Sequence, residues 1–208
     1  MAVDYVLMYD RSEQLRKWRI DNMNIMIVGV GGQGTLLASR ILGRVAIKEG
    51  YDVKVSEVHG MSQRGGSVVT YVKCGEKVYS PIIDRGEADL ILAFEMLEAY
   101  RALPYLKEGG KILANSQRMN PMPVITGAMK YPDNIEDKLS EKVNIKIIDA
   151  LSLARQAGTI KAVNVVLIGF LAKSMDVDKN VWTEVIKETV PPKFLEMNLK
   201  AFELGYNM

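Results

Sequence analysis

The sequence has 208 residues, of which 48% are hydrophobic and 25% are charged, and its formal net charge is +2. This is the composition of an ordinary globular protein that can bury a full core, and the small net charge gives no electrostatic reason to expect a nucleic-acid partner. The single cysteine, Cys74, excludes an internal disulfide framework, and it excludes an iron–sulfur cluster or zinc site held by cysteines of this chain alone.

The N-terminal residues 1–22 are polar and precede the first clear structural unit, so we interpret them as a leader or N-terminal extension with one helix around Leu15 and Trp18. Residues 23–208 form the main domain in this interpretation. No signal peptide is recognisable, and the longest apolar run, 162–172, is too short to span a bilayer and predicts a core helix. We therefore expect a cytoplasmic protein without membrane association.

Strand patterns recur along most of the chain, as continuous apolar runs or as alternation of apolar and polar residues. The predicted strands are 24–30, 52–58, 67–74, 88–94, 109–115 and 143–150. Helical patterns separate several of them. This order predicts an α/β fold: a Rossmann-like three-layer domain with a mainly parallel sheet and a helical C-terminal part.

The first predicted helix follows the first strand, because Leu37, Ile41 and Val45 recur on one stripe and Gly50 stands where a C-cap is expected. Another helix is predicted over 95–103, ending before Pro104. Later in the chain, Asp149 is placed to cap the helix that follows it.

From residue 162 onwards the pattern is mostly helical. The last helix carries an apolar stripe of Leu195, Leu199 and Phe202, and Gly205 is predicted to terminate it.

Three connections depart from simple strand–helix alternation. The loop at 59–66 is too short for a crossover helix, so the second and third strands are predicted to run antiparallel. A tight turn at 75–77 predicts a hairpin return at 78–80. Prolines at 121, 123 and 132 favour loops or edge strands over 116–142.

A glycine motif lies between the first strand and the first helix. Gly29, Gly31 and Gly34 satisfy G-x-G-x-x-G, and Gly32 adds a fourth glycine. One interpretation is dinucleotide binding, with Glu57 near the end of the second strand holding a ribose. The others are close packing of strand against helix, and binding of some other anion at the helix N-terminus. We assign Gly34 to packing, and Gly31 and Gly32 to ligand or partner contact.

The loop after the second strand concentrates polar groups and glycines around the single histidine. Its candidate ligand or partner contacts are His59, Ser62, Gln63, Arg64, Gly65 and Gly66. A guanidinium flanked by glycines suits a phosphate or carboxylate, whereas the same residues would also form a well-satisfied structural loop. Because both glycine-bearing loops leave the carboxyl edge of the predicted sheet, we expect them to lie together. The spacing indicates no nucleophile–base pair and no metal site.

The segments "VGVGGQGTLLASRILG", "SEVHGMSQRGGSVVTYV", "YSPIIDRGEADLILAFEMLEAYRALPYLKEGG" and "VNVVLIGF" together resemble the gamma-type subunits of 2-oxoacid:ferredoxin oxidoreductases. Within that family the sequence is most similar to the indolepyruvate type. The resemblance runs from about Met23 to the C-terminus and identifies 23–208 as a gamma-type catalytic domain.

The resemblance implies oxidative decarboxylation of a 2-oxoacid, an arylpyruvate for the indolepyruvate type, to an acyl-CoA with reduction of ferredoxin. It implies a partner subunit that carries thiamine diphosphate, Mg and iron–sulfur clusters, with coenzyme A as co-substrate and no cofactor bound by this chain alone. It implies no catalytic residue here; the loop at 59–66 becomes an interface and substrate-access loop. A chain made for a complex is also expected to self-associate when isolated. A stand-alone nicotinamide oxidoreductase and a non-catalytic scaffold remain the alternatives.

Overall fold

The computed structural model describes residues 19–20, 22–60 and 65–208, so the helix expected around Leu15 and Trp18 lies outside the described residues. The strands are β1 (Met23–Val30), β2 (Asp52–His59), β3 (Ser67–Gly75), β4 (Ala88–Ala93), β5 (Leu106–Asn115) and β6 (Asn144–Ile148). The helices are α1 (Thr35–Lys48), α2 (Met96–Ala102), α3 (Met122–Ile125), α4 (Ile135–Ser140), α5 (Ala150–Ala157), α6 (Val163–Ser174), α7 (Lys179–Thr189) and α8 (Leu195–Tyr206).

The six strands form one sheet in the order β2-β3-β1-β4-β5-β6. β1 pairs in parallel with β4, β4 with β5, and β5 with β6, whereas β3 runs antiparallel to both β1 and β2. The mainly parallel sheet is therefore confirmed, and so is the antiparallel pairing of the second and third strands.

Helices cover both faces of the sheet and make three layers. Alternation along β1 sends Ile25 and Ile27 into a core shared with α1 and the C-terminal helices α5–α8. Met26 and Val28 point into a second core beneath α2 and α4. The three-layer α/β prediction and the helical C-terminal part are both confirmed.

Local signals fixed several helix ends as predicted. Asp149 caps α5, since its carboxylate accepts the Ser152 N–H at 2.9 Å. Gly50 follows α1 with a φ of 89°, the left-handed conformation that ends helices.

The apolar run at 162–172 is a core helix, as α6 is buried over almost all its length. No helix among the described residues combines the length and apolarity needed to cross a membrane.

The prediction that Gly205 terminates the last helix is wrong. Gly205 lies inside α8, and a Cβ built there would be 1.9 Å from the Val166 carbonyl oxygen of α6. A Cβ at Gly169 of α6 would likewise be 2.1 Å from the Phe202 carbonyl oxygen of α8. The glycines permit a close backbone approach of two helices instead of a helix end.

The predicted hairpin return at 78–80 is also wrong, because these residues form no strand and the next strand after β3 is β4. The Asp52 carboxylate accepts the Val78 N–H at 2.9 Å, which takes the donor that a strand pairing would need. The Lys73 ammonium donates to the Ile82 carbonyl at 3.1 Å and holds the same segment to β3.

The segment 116–142 contains α3 and α4 where loops or edge strands were predicted. Pro121 precedes α3 and Pro123 lies in its first turn, where a residue without an N–H costs the helix nothing. Pro121 and Pro123 therefore mark a helix start and not a sheet edge, whereas Pro132 and most of the rest of 116–142 lie in loops, as predicted.

Candidate functional site

The loops that follow β1 and β2 meet at the carboxyl edge of the sheet. The Gly31 N–H donates to the Gly66 carbonyl at 2.9 Å, so the two loops are joined directly. The predicted proximity of the two glycine-bearing loops is confirmed. α1 leaves β1 over one face of the sheet and α2 leaves the neighbouring β4 over the other, which is the crossover arrangement that opens a crevice at this edge.

An open cleft of about 320 Å³ lies between the loop after β1, which we call the glycine loop (residues 29–34), and the end of β2. It is lined by Gly31, Gly32, Gly34, Thr35, Leu36, Glu57, His59 and Val68. The structure thus brings together five of the residues predicted from sequence. Of the remaining candidates, Gly29 lies at the end of β1, and Gly65 and Gly66 precede β3. Ser62, Gln63 and Arg64 lie outside the described residues.

The glycines of the loop have different surroundings. A Cβ on Gly32 would meet no atom within 4 Å, and its φ is 98°. A Cβ on Gly34 would lie 2.5 Å from the Asn164 side-chain nitrogen, and a Cβ on Gly29 would lie 2.8 Å from a Gln33 oxygen. Gly34 therefore lies in close packing with α6, while the Cβ position of Gly32 is open.

The N-terminus of α1 faces the cleft without a side-chain cap. Gly34 is the N-cap residue in a left-handed conformation, and no acidic residue occupies the first turn. Backbone N–H groups at this end of a helix suit an anionic or carbonyl oxygen.

Across the cleft, an imidazole and a carboxylate extend from the end of β2. The His59 Nδ1 lies 3.8 Å from a Glu57 oxygen, and the buried Thr70 hydroxyl donates to the other Glu57 oxygen at 3.3 Å. The two walls therefore have opposite character: backbone donors on the α1 side, and a carboxylate acceptor with an imidazole ring on the β2 side. Such a cleft can orient a polar ligand or a partner main chain.

Sequence reasoning missed an amide network that ties the neighbouring strand ends together. The Gln33 amide accepts the Val30 N–H at 2.7 Å and donates to the Phe94 carbonyl at 3.2 Å. The buried Asn115 amide also donates to Phe94 O, and its oxygen accepts the Ala150 N–H at 3.1 Å. No sequence motif predicts this hydrogen-bond network. The only indication in the sequence is that amide side chains follow apolar runs.

A buried carboxylate, Glu95, was also missed. It caps α2 by accepting the Glu98 N–H at 3.0 Å, and it accepts the Met119 N–H at 3.0 Å and the Tyr131 hydroxyl at 2.7 Å. Burial, together with the hydrogen bond to Glu95, raises the pKa of Tyr131 above its usual range. Glu95 therefore fixes the chain after β5 against α2.

Within the described part of the chain, no three His, Cys, Asp or Glu side chains are grouped so that they could hold a metal ion. Cys74 is buried on β3, and burial raises the pKa of its thiol to about 12. The thiol is therefore protonated at neutral pH and is not a reactive thiolate in this fold.

A sequence model described as pyruvate ferredoxin/flavodoxin oxidoreductase matches residues 24–208. The chain belongs to the pyruvate ferredoxin/flavodoxin oxidoreductase family. Among relatives of this family member, the indolepyruvate oxidoreductase subunit IorB of Thermococcus kodakarensis is 46% identical over 188 residues, which cover 88% of this chain and 93% of the relative. The predicted resemblance to this type of subunit is confirmed.

Two solved structures share the fold of this family member. The gamma subunit of a keto/oxoacid ferredoxin oxidoreductase from Geobacter sulfurreducens gives a TM-score of 0.66 at 24% identity, covering 89% of this chain and 96% of that one. A 2-oxoglutarate:ferredoxin oxidoreductase from Magnetococcus marinus, solved with 2-oxoglutarate, coenzyme A and succinyl-CoA bound, gives 0.69 at 19% identity. The match covers 90% of this chain but only 31% of that longer one.

Proposed function

We propose that this chain is a subunit of a ferredoxin-dependent 2-oxoacid oxidoreductase of the indolepyruvate type. The complex would oxidatively decarboxylate an arylpyruvate with coenzyme A, releasing an acyl-CoA and CO2 and reducing ferredoxin. The observation that carries the proposal is the 46% identity to the subunit IorB over 93% of that subunit's length. We assign residues 23–208 to the gamma-type catalytic domain and 1–22 to a leader or N-terminal extension.

The cofactors of the reaction belong to the partner subunit in this proposal. One buried cysteine does not fit an iron–sulfur cluster, which needs several thiolates. Thiamine diphosphate supplies the covalent chemistry when bound in the partner. The part left to this chain is to position the partner and the co-substrate, which agrees with a cleft whose described lining offers hydrogen-bonding groups.

The cleft suits a place on the coenzyme A path or at the subunit contact. The uncapped N-terminus of α1 and the open side of Gly32 offer N–H groups to an anionic group such as a phosphate. Glu57 disfavours an anion at the opposite wall, so the donor side is where such a group would lie.

The partner subunit would also cover an apolar groove that continues from the cleft. Leu36 lines both the cleft and a neighbouring groove of about 550 Å³ between α1 and the edge strand β2. Ile47 and Val55 line that groove and are 62% and 44% exposed. An exposed apolar groove beside a sheet edge is typical of a surface that another chain covers.

The proposal is tested by producing this chain with and without the thiamine diphosphate subunit of the same source. Ferredoxin reduction is then measured with coenzyme A and a panel of 2-oxoacids: indolepyruvate, phenylpyruvate, pyruvate, 2-oxoglutarate and a branched-chain acid. We expect activity only when both chains are present, with the aryl substrates preferred.

Full activity of the partner alone would contradict the proposal and favour a scaffold role. A nicotinamide-dependent reaction of the isolated chain would favour the stand-alone oxidoreductase. The isolated chain is expected to show no visible absorbance from a cluster or flavin, and a stoichiometric chromophore would refute the assignment of cofactors to the partner.

A further inference from the structure

Glu98 lies in the first turn of α2 with only 5% of its side chain exposed, yet it is placed to act outside its own helix. Both carboxylate oxygens have donors. One accepts the Ser67 hydroxyl at 2.5 Å, and the other accepts the Arg101 guanidinium at 2.6 Å. Hydrogen bonds to a buried charged group are among the stronger ones in proteins, so the bond to Ser67 is a strong restraint on that residue.

Ser67 connects this carboxylate to the cleft. It is the first residue of β3 and stands opposite Val30, the last residue of β1. Its neighbour Gly66 supplies the carbonyl that accepts the Gly31 N–H at 2.9 Å. A chain of contacts therefore runs from α2, on one face of the sheet, to the glycine loop that lines the cleft beside α1 on the other face.

We propose that Glu98 is a positioning residue for the glycine loop. It fixes Ser67, and through Ser67 it holds the Gly66 carbonyl where Gly31 can donate to it. The inference that this restraint serves turnover rests on the proposed function, in which the cleft lies on the coenzyme A path. The restraint itself is a property of the isolated chain and is measurable without the complex.

The direct readout is amide hydrogen exchange of Gly31, measured by NMR on the full isolated chain. Glu98 does not contact Gly31, so a purely structural carboxylate would leave the exchange of that amide unchanged. We expect Ser67→Ala and Glu98→Gln each to speed Gly31 exchange by about tenfold or more, because losing one charge-assisted bond shifts a local opening equilibrium by at least that factor. The two effects should not add in the double variant.

Asp149→Ala is the matched control, since it removes the cap of another helix at the same edge of the sheet without touching the contact chain. It should lower the melting temperature and leave Gly31 exchange within about twofold of wild type. Ser67→Ala removes one hydroxyl from an exposed residue, so it keeps the test valid even if Glu98→Gln does not fold. Wild-type exchange of Gly31 in Ser67→Ala overturns the inference.

The assembled complex separates this inference from the proposed function. Ser67→Ala is expected to raise the KM for coenzyme A by about threefold or more, with kcat changed by less than about twofold. Faster Gly31 exchange with an unchanged KM would uphold the positioning role and overturn the placement of the cleft on the coenzyme A path. Unchanged exchange would overturn the positioning role whatever the KM.

Discussion

At the level of single residues, two glycines of the same loop differ in their surroundings. A Cβ at Gly34 would collide with a neighbouring side chain, whereas a Cβ at Gly32 would meet open space. Both need positive φ, which costs an alanine about 1–2 kcal/mol. Gly34→Ala adds a collision with Asn164 at 2.5 Å, for which overpacking costs about 1–3 kcal/mol more. We predict that Gly34→Ala lowers the free energy of unfolding by about 2–5 kcal/mol and Gly32→Ala by about 1–2 kcal/mol, measured by urea denaturation of the isolated chain.

The collision can be isolated by repeating Gly34→Ala in an Asn164→Ala background, where the extra cost over Gly32→Ala should largely disappear. Equal destabilisation by Gly34→Ala in both backgrounds would show that the backbone, and not Asn164, limits this position.

Cys74 provides a second test at the residue scale. Burial raises the pKa of its thiol to about 12, so the thiolate that attacks thiol reagents is scarce at pH 8. We predict that an aromatic disulfide reagent labels the native chain slowly and the urea-unfolded chain rapidly. The absorbance of the released aromatic thiolate measures both labelling rates. Rapid labelling of native protein would mean that β3 opens far more readily than its inner position in the sheet suggests.

At the level of secondary-structure elements, the strands were predictable because a buried parallel strand must be apolar on both faces. β1 and β4 have that pattern, and their observed bounds differ little from the predicted ones. The Gly31–Gly66 proximity was predictable for a related reason, since both loops leave the same sheet edge.

Features that depend on contacts between distant segments could not be predicted. The role of Gly205 depends on α6, which lies far from it in sequence. The sequence alone does not distinguish a glycine that ends a helix from a glycine at a helix crossing. The Glu98–Ser67 bond joins residues 31 positions apart and follows no motif. The sequence therefore indicates which loops form the site and not what holds them in place.

The crossing of α6 and α8 makes a sharp prediction at this scale. Gly205→Ala would place a Cβ 1.9 Å from the Val166 carbonyl oxygen, a distance that only separation of the helices can relieve. Because both helices carry core residues, we expect a loss of about 3 kcal/mol or more, or failure to fold. Urea denaturation monitored by far-UV circular dichroism measures it.

Gly43→Ala in α1 is the matched control. Its Cβ would meet Val53 and Val55 at 3.6 and 3.7 Å, which is ordinary contact. An alanine in a helix interior is favoured over glycine by up to about 1 kcal/mol, so this variant should be slightly more stable than wild type. Similar losses in both variants would refute the distinction between a helix crossing and a tolerant helical glycine.

At the level of the whole molecule, a second exposed apolar surface lies on the opposite side of the sheet from the apolar groove between α1 and β2. Met122, Ile125 and Met129 are each exposed by more than 60% on and around α3. This segment is anchored from below by the Glu95 carboxylate through Met119 and Tyr131. The groove adjoins β2, which is an edge strand of the described sheet.

We predict that the isolated chain self-associates through the groove and that Ile47→Lys shifts it towards the monomer. Removing an exposed apolar side chain weakens association, and a lysine near the C-terminus of α1 is favoured by the helix dipole, so folding should be unaffected. Sedimentation velocity over a concentration series measures the change. Ile125→Lys is the matched control, because Ile125 is 67% exposed and Ile47 is 62% exposed. A monomeric wild type, or an equal shift in both variants, would contradict the assignment of this groove as the contact surface. In the complex, Ile47→Lys should also weaken binding of the partner subunit more than Ile125→Lys does.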